Sequence, residues 1–177
     1  MQTPQLIRSV SKIAASYQAK LTTVTEEEFM QTPPIGGWSY SEVYAHIFDS
    51  SLLSLLALEK CLNGDGVKAR TLFAAKVILF FGMLPPGKRY KVPKRLVHRA
   101  KKIDKNVAQQ FIDDFNTELS KAIAQIGTAD PTVKVAHPRL GFLNATQWLR
   151  FIEIHLKHHV KQVKRIERSF AAAGSKK

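Results

Sequence analysis

The sequence predicts an all-α protein, an up-down four-helix bundle with an extra helical insertion between its second and third long helices. Three observations predict it. Four long stretches carry apolar residues at steps of three and four, clusters of Gly and Pro separate them, and no segment alternates apolar and polar residues convincingly enough to read as a strand. With 177 residues, 45% of them hydrophobic, the chain is long enough to bury a sizeable core and reads as globular. One domain over residues 1–170 is expected, with 171–177 as a flexible C-terminal tail and no internal repeat.

The first helix is expected over 5–29, where Leu6, Ile7, Val10, Ile13, Ala14, Tyr17 and Leu21 recur at helical spacing. Thr32-Pro33-Pro34-Ile35-Gly36-Gly37 ends it. Ser39 and Glu42 then form a capping box that opens a second helix, running through His46 to about residue 62, where Asn63-Gly64-Asp65-Gly66 breaks the chain. A further helical stretch over 67–83 stops at Leu84-Pro85-Pro86-Gly87. After a basic segment, in which Val92-Pro93 marks an extended piece, a third long helix covers 104–126. Val107, Phe111, Phe115, Leu119 and Ile123 share one of its sides, and Gly127 is its expected C-cap. A loop through Pro131 and His137-Pro138-Arg139-Leu140-Gly141 leads to Asn144, the N-cap of the last helix, whose capping box Gln147 completes. That helix, over 145–170, contains neither Gly nor Pro.

Composition narrows the function classes. Twenty-seven Lys and Arg against 14 Asp and Glu give a net charge of +13, which favours anionic partners: nucleic acid, acidic lipid, or a carboxylate or phosphate substrate. Part of the surplus lies in Lys88, Arg89, Lys91, Lys94, Arg95, Arg99, Lys101 and Lys102, with Lys94, Arg95, Lys101 and Lys102 as anion-binding candidates. Such a run usually forms a solvated surface, and Tyr90 alone interleaves an aromatic for stacking on single strands. A non-enzymatic protein binding nucleic acid or another anionic partner through 88–102 is therefore the alternative reading. The single cysteine, Cys61, excludes an intramolecular disulfide and suits a reducing compartment. Its apolar run favours a buried structural thiol over a nucleophile. Residues 1–8 lack the apolar core of a signal peptide, so a cytoplasmic location is expected. The most apolar window, 72–84, contains Lys76, is too short to cross a bilayer, and reads as core or as the face of a homodimer.

The chemistry concentrates in the last helix. From His155 to His159 a helix turns by about 400° and climbs roughly 6 Å, so both imidazoles lie on one face, within the stripe Trp148, Ile152, His155, His159, Ile166. Two histidines so spaced on an inward face can share one transition metal. The pattern also arises by chance and needs a third ligand. His46 stands on the stripe Val43, His46, Ile47, Ser50, Leu53, Ala57 of the second helix. A lone inward histidine is more often a hydrogen-bonded core residue, but three on two helices would be expensive to bury without a shared partner. Asp49, one turn beyond His46, is a candidate to fix a ligand ring.

Trp38-Ser39 followed by His46-Ile47-Phe48-Asp49-Ser50, then His137-Pro138-Arg139-Leu140-Gly141, then Trp148 followed by His155-x-x-His158-His159-x-x-Gln162, resembles the DinB/YfiT-like superfamily of metal-binding four-helix bundles. The likeness spans residues 5–170. It implies that His46, His155 and His159 bind one divalent metal, zinc or nickel, with remaining positions open to water. It also implies activation of water or of a low-molecular-weight thiol cosubstrate, toward hydrolysis of a small molecule or S-transfer to it. The nearest candidates for a general base are Asp49 and Glu153. His137 is expected either to line the pocket or to make a turn, His158 to sit on the flank, and His98 to be solvated. The basic insertion, 67–102, departs from the pattern and is placed to cover or reshape the pocket mouth.

Overall fold

A computed structural model of the chain describes residues 2–84 and 101–174. The chain begins with α1 (Thr3–Thr23) and α2 (Glu26–Met30), where the periodicity predicts one continuous helix. The break has a local cause. Thr25 is extended and its hydroxyl accepts the Glu28 amide at 3.1 Å, while Glu26, Glu27 and Glu28 supply the negative charge that a helix N-terminus favours. Thr25-x-x-Glu28 is thus a second start signal inside the apolar pattern.

α3 (Tyr40–Leu62) opens on the expected box: the Ser39 hydroxyl accepts from the Glu42 amide at 3.3 Å and the Glu42 carboxylate from the Ser39 amide at 2.9 Å. The expected helix over 67–83 is shorter. Its first residues form β1 (Val67–Lys68), and α4 covers only Phe73–Phe81, closed by Gly82 in the left-handed conformation at φ 68°. α5 (Lys105–Gln125) starts at Asp104, whose carboxylate accepts the Val107 amide at 2.8 Å. It ends in a 3-10 turn, Ile126–Thr128, with Gly127 inside that turn rather than acting as a left-handed cap.

β2 (Val133–His137) and β3 (Gly141–Leu143) complete a three-stranded antiparallel sheet in the order β1-β2-β3, with Val67 opposite Lys134 and Val135 opposite Leu143. The sequence reading expects no strand. Strands of two, five and three residues are too short for a period of two to stand out. Gly66 admits the close approach, since a Cβ there would lie 2.6 Å from the Lys134 carbonyl oxygen.

α6 (Ala145–Gly174) is capped reciprocally by Asn144 and Gln147, at 3.0 and 3.1 Å. It continues through Ala171, Ala172 and Ala173 to Gly174, so these residues of the expected tail are helical; alanine is the strongest helix former. Residues 175–177 lie outside the described range.

The mainly helical bundle expected from the sequence is present, and its ring order is an added finding. α1 packs along α5 and α6, and α3 packs along the same two, so the first two long helices occupy opposite corners. The core between them is aromatic: Tyr17, Tyr44, Phe48 and Phe115 meet edge to face or tilted at centroid separations of 5.5–6.0 Å. Two buried hydroxyls tie the corners together. Tyr44 donates to the Tyr17 carbonyl and Tyr17 to the Leu156 carbonyl, each at 2.9 Å. α4 lies outside the ring against α6, burying Ala75 and Leu79, and Arg150 Nε donates to the Leu79 carbonyl at 2.9 Å. No described helix is long and apolar enough to cross a membrane.

Two substitutions test this frame by urea unfolding. Leu149→Ala, at a fully buried position on α6, should lower stability by about 2–5 kcal/mol. Ser39→Ala, which removes the cap that starts α3, should lower it by roughly 0.5–2 kcal/mol. Equal and negligible effects would contradict the described packing.

Candidate metal centre

Helix starts decide which side chains meet. Ser39 begins α3 two turns before His46, Asn144 begins α6 three turns before His155, and α3 packs directly along α6. The result brings His46, His155 and His159 together, one donor nitrogen from each lying within 4.8 Å of the others. Ring centroids are separated by 5.2 Å for His46 and His155, 5.0 Å for His46 and His159, and 4.7 Å for His155 and His159. The facing Nε2 atoms of His155 and His159 are 3.2 Å apart.

His46 sits at the edge of the core rather than its centre. The buried stripe of α3 is Tyr44, Ile47, Phe48, Ser51, Leu55 and Leu58, whereas Leu53, expected to share the inward side with His46, is exposed. The cluster is therefore half-buried at the α3–α6 seam, within reach of a solute.

Neighbouring side chains set the rings. Trp38 meets His46 at 5.2 Å and 64°, and Phe151 stacks on His155 at 5.6 Å and 12°. His159 Nδ1 lies 2.8 Å from Gln162 Oε1. A carbonyl oxygen only accepts, so Nδ1 carries the hydrogen and Nε2 turns its lone pair toward His155. Gln162, which the sequence reading quotes in the last-helix motif without giving it a role, is an added member of the cluster. Its signal is spacing: three residues beyond His159, it shares that face of α6.

Burial holds the imidazoles neutral. It lowers His46 to about 4, helped by the nearby His158, and lowers His159 to about 3, helped by His46 and opposed by the Gln162 hydrogen bond. His155 falls well below the ordinary range, through burial first and then the surrounding histidines. Three neutral imidazoles whose ring nitrogens converge within 4.8 Å form a metal-type donor set. In a tetrahedral site with metal–nitrogen bonds of about 2.0–2.1 Å, donors stand roughly 3.3 Å apart, close to the spacing between His155 and His159. The residues present fit a divalent ion.

The remaining candidates divide. Asp49 lies half-buried on α3, one turn beyond His46. His158 is exposed on the flank, its ring 5.1 Å from His159. His137 makes a turn: its Nδ1 accepts the Arg139 and Leu140 amides at 3.1 and 3.0 Å, while its ring packs on Phe151 at 4.4 Å and Trp148 at 5.2 Å. Phe151 therefore separates it from His155.

Glu153 faces away from the cluster. Two helical positions before His155 place it about 200° around α6. There it is buried and engaged by Arg150, by Lys157 at 2.6 Å and by the Ser9 hydroxyl of α1. Burial alone would raise its pKa, but the bonds from Lys157 and Ser9 and the charge of Arg150 outweigh it and hold the carboxyl low. A proton carrier near the histidines is not its place. Cys61 is buried with its thiol 3.5 Å from the Leu143 carbonyl, and burial pushes its pKa up, as befits a structural thiol. Lys101 and Lys102 are exposed ahead of α5, whereas Lys94, Arg95 and His98 lie outside the described residues.

Comparison with known proteins follows the same lines. The structure superposes on YfiT from Bacillus subtilis, described as a probable metal-dependent hydrolase with an unusual four-helix bundle topology. The TM-score is 0.65 at 14% identity, over 97% of this chain and 90% of that one. It also superposes on TT2238, described as a four-helix bundle protein, with a TM-score of 0.59 at 16% identity, over 93% of this chain and 99% of that one. At such identities the likeness shows the fold. No curated protein matches. The family model described as the DinB superfamily matches residues 12–163.

The buried histidines make the metal-free protein acid-sensitive. His46 and His137 stay neutral in the fold down to about pH 4, and His159 to about 3, but all three are protonated in the unfolded chain below about 6.5. The unfolded state binds more protons in that window, so stability is full above pH 6.5 and falls as pH drops toward 4. Urea unfolding at pH 7 and pH 5 should show the loss, and equal stability at both would contradict it.

Proposed function

The chain belongs to the DinB superfamily, and from that premise we propose that His46, His155 and His159 hold one divalent metal, zinc or nickel, in a hydrolase or thiol S-transferase acting on a small molecule. The observation that carries the proposal is the convergence of three imidazole nitrogens within 4.8 Å on two facing helices. YfiT, described as a probable metal-dependent hydrolase, supports it from the same fold.

When bound, such an ion supplies Lewis acidity toward water or a low-molecular-weight thiol. The chain's own residues do the rest. His46 comes from α3 and the other two from α6, so the seam between these helices fixes the donor triangle. Gln162 holds His159 in the tautomer that leaves Nε2 free, and Phe151 and Trp38 restrict two of the rings and keep bulk water from their faces. Asp49, half-buried on α3 one turn beyond His46, is the carboxylate assigned to move a proton. The free, buried Cys61 is compatible with work in a reducing compartment.

The test is a paired screen of zinc- and nickel-loaded protein against activated esters and against low-molecular-weight thiols with electrophiles. Turnover in one panel is expected, with His159→Ala losing it at least about 100-fold and Asp49→Asn losing about 100-fold in kcat at unchanged metal content. Gln162→Ala should weaken metal affinity by about 10–100-fold. No turnover in either panel by fully loaded protein would overturn the catalytic reading.

A further inference from the structure

α4 buries only one side. Ala75 and Leu79 face α6, while Phe73 is 82% exposed, Phe80 80% and Phe81 67%, with Leu72 and Met83 each more than half exposed beside them. Positions 73, 77, 80 and 81 follow the steps of four, seven and eight that place residues on one helical face, and Val77 is exposed as well. Soluble proteins rarely leave so many large apolar side chains together in water, so the face has an occupant.

Charge identifies the occupant. From Gly66 to Ile103 the sequence holds 11 Lys and Arg and no Asp or Glu, which accounts for most of the net +13 of the chain. Among the described residues of that stretch, Lys68, Arg70 and Lys76 are exposed on or shortly before α4, and Lys76 stands on α4 itself between Phe73 and Phe80; Lys101 and Lys102 are exposed too, but beside the start of α3 at the far end of α6. A second copy would bring two strongly positive molecules face to face, which like-charge repulsion disfavours. An anionic surface meets both halves of the pattern, apolar rings below and cations around them. Nine residues of helix span only about 14 Å, against a hydrocarbon core of about 30 Å, so the element lies in the interface and does not cross it.

We propose that α4 is a membrane-surface anchor, with Phe73, Phe80 and Phe81 inserted among the acyl chains of an anionic lipid leaflet and Lys68, Arg70 and Lys76 set against its headgroups. The assignment is independent of the histidine cluster, which lies on other elements.

Flotation of the full chain with phosphatidylcholine vesicles, with and without equal phosphatidylglycerol, tests it at 50 mM and 500 mM salt. The protein should float with the anionic vesicles at low salt and at least tenfold less with neutral vesicles or high salt. The triple variant Phe73→Ser, Phe80→Ser, Phe81→Ser should lose at least tenfold while keeping its unfolding midpoint. Phe80→Trp, which preserves the face, should bind as the parent does and shift its emission to the blue when anionic vesicles are added. Failure of the parent to float, or undiminished flotation of the triple variant, would overturn the proposal. So would light scattering that shows a dimer reduced to monomer by the triple variant, since a second copy then covers the face. An indole at position 80 with blue emission that vesicles leave unchanged would overturn it too, because the chain itself then provides the cover.

Discussion

Three imidazoles meet where α3 crosses α6, and each brings a polar nitrogen into surroundings that would penalise it alone. The contact works because every ring has something to face. His155 and His159 turn Nε2 atoms toward each other, His46 closes the triangle, and Gln162 takes up the outward nitrogen of His159. Phasing is what the arrangement demands of the fold. One residue of slip in α6 would rotate both its histidines by about 100° and dissolve the triangle. The caps at Ser39 and Asn144 fix that phase at the helix starts, and the Tyr17 and Tyr44 hydroxyls hold the corner helices at constant separation behind it.

The same constraint explains the division between the histidine face of α6 and its other sides. The side toward α1 carries the buried Glu153 carboxylate, paired with Arg150 and the exposed Lys157 and bonded by the Ser9 hydroxyl, and Arg150 also reaches the end of α4. A single helix thus serves as carrier of two of the clustered histidines, core strut and platform for the insertion. His137 illustrates how near structure and site lie. Its imidazole is spent on two backbone amides that shape the turn between β2 and β3, yet its other surface supports Phe151, on which His155 stacks.

Much of this was legible in the amino-acid sequence, for physical reasons. The long helices repeat their apolar residues over many turns, and the boxes at Ser39 and Asn144 are short, local and geometrically strict. Helical spacing alone placed His155 and His159 on one face, and the order of motifs pointed to the DinB superfamily, to which the chain belongs. Weak signals were harder to read. The break at Thr25 lies inside a continuous apolar pattern and only its Glu28 betrays it, while strands of two, five and three residues have no period to detect. Leu53 was misplaced because α3 is apolar on more than one side, which blurs its inward stripe. Gln162 meets His159 within one turn of α6, a spacing that many polar pairs share, and the commitment of Glu153 is completed by a tertiary contact, the Ser9 hydroxyl of α1.

The central claim is that the three histidines are there to hold an ion. Elemental analysis of protein purified without a metal-affinity tag, beside the triple variant His46→Ala, His155→Ala, His159→Ala, addresses it most directly. The account predicts close to one divalent metal per chain in the parent and none in the folded variant. A parent that carries no metal and takes up neither zinc nor nickel on titration would contradict it.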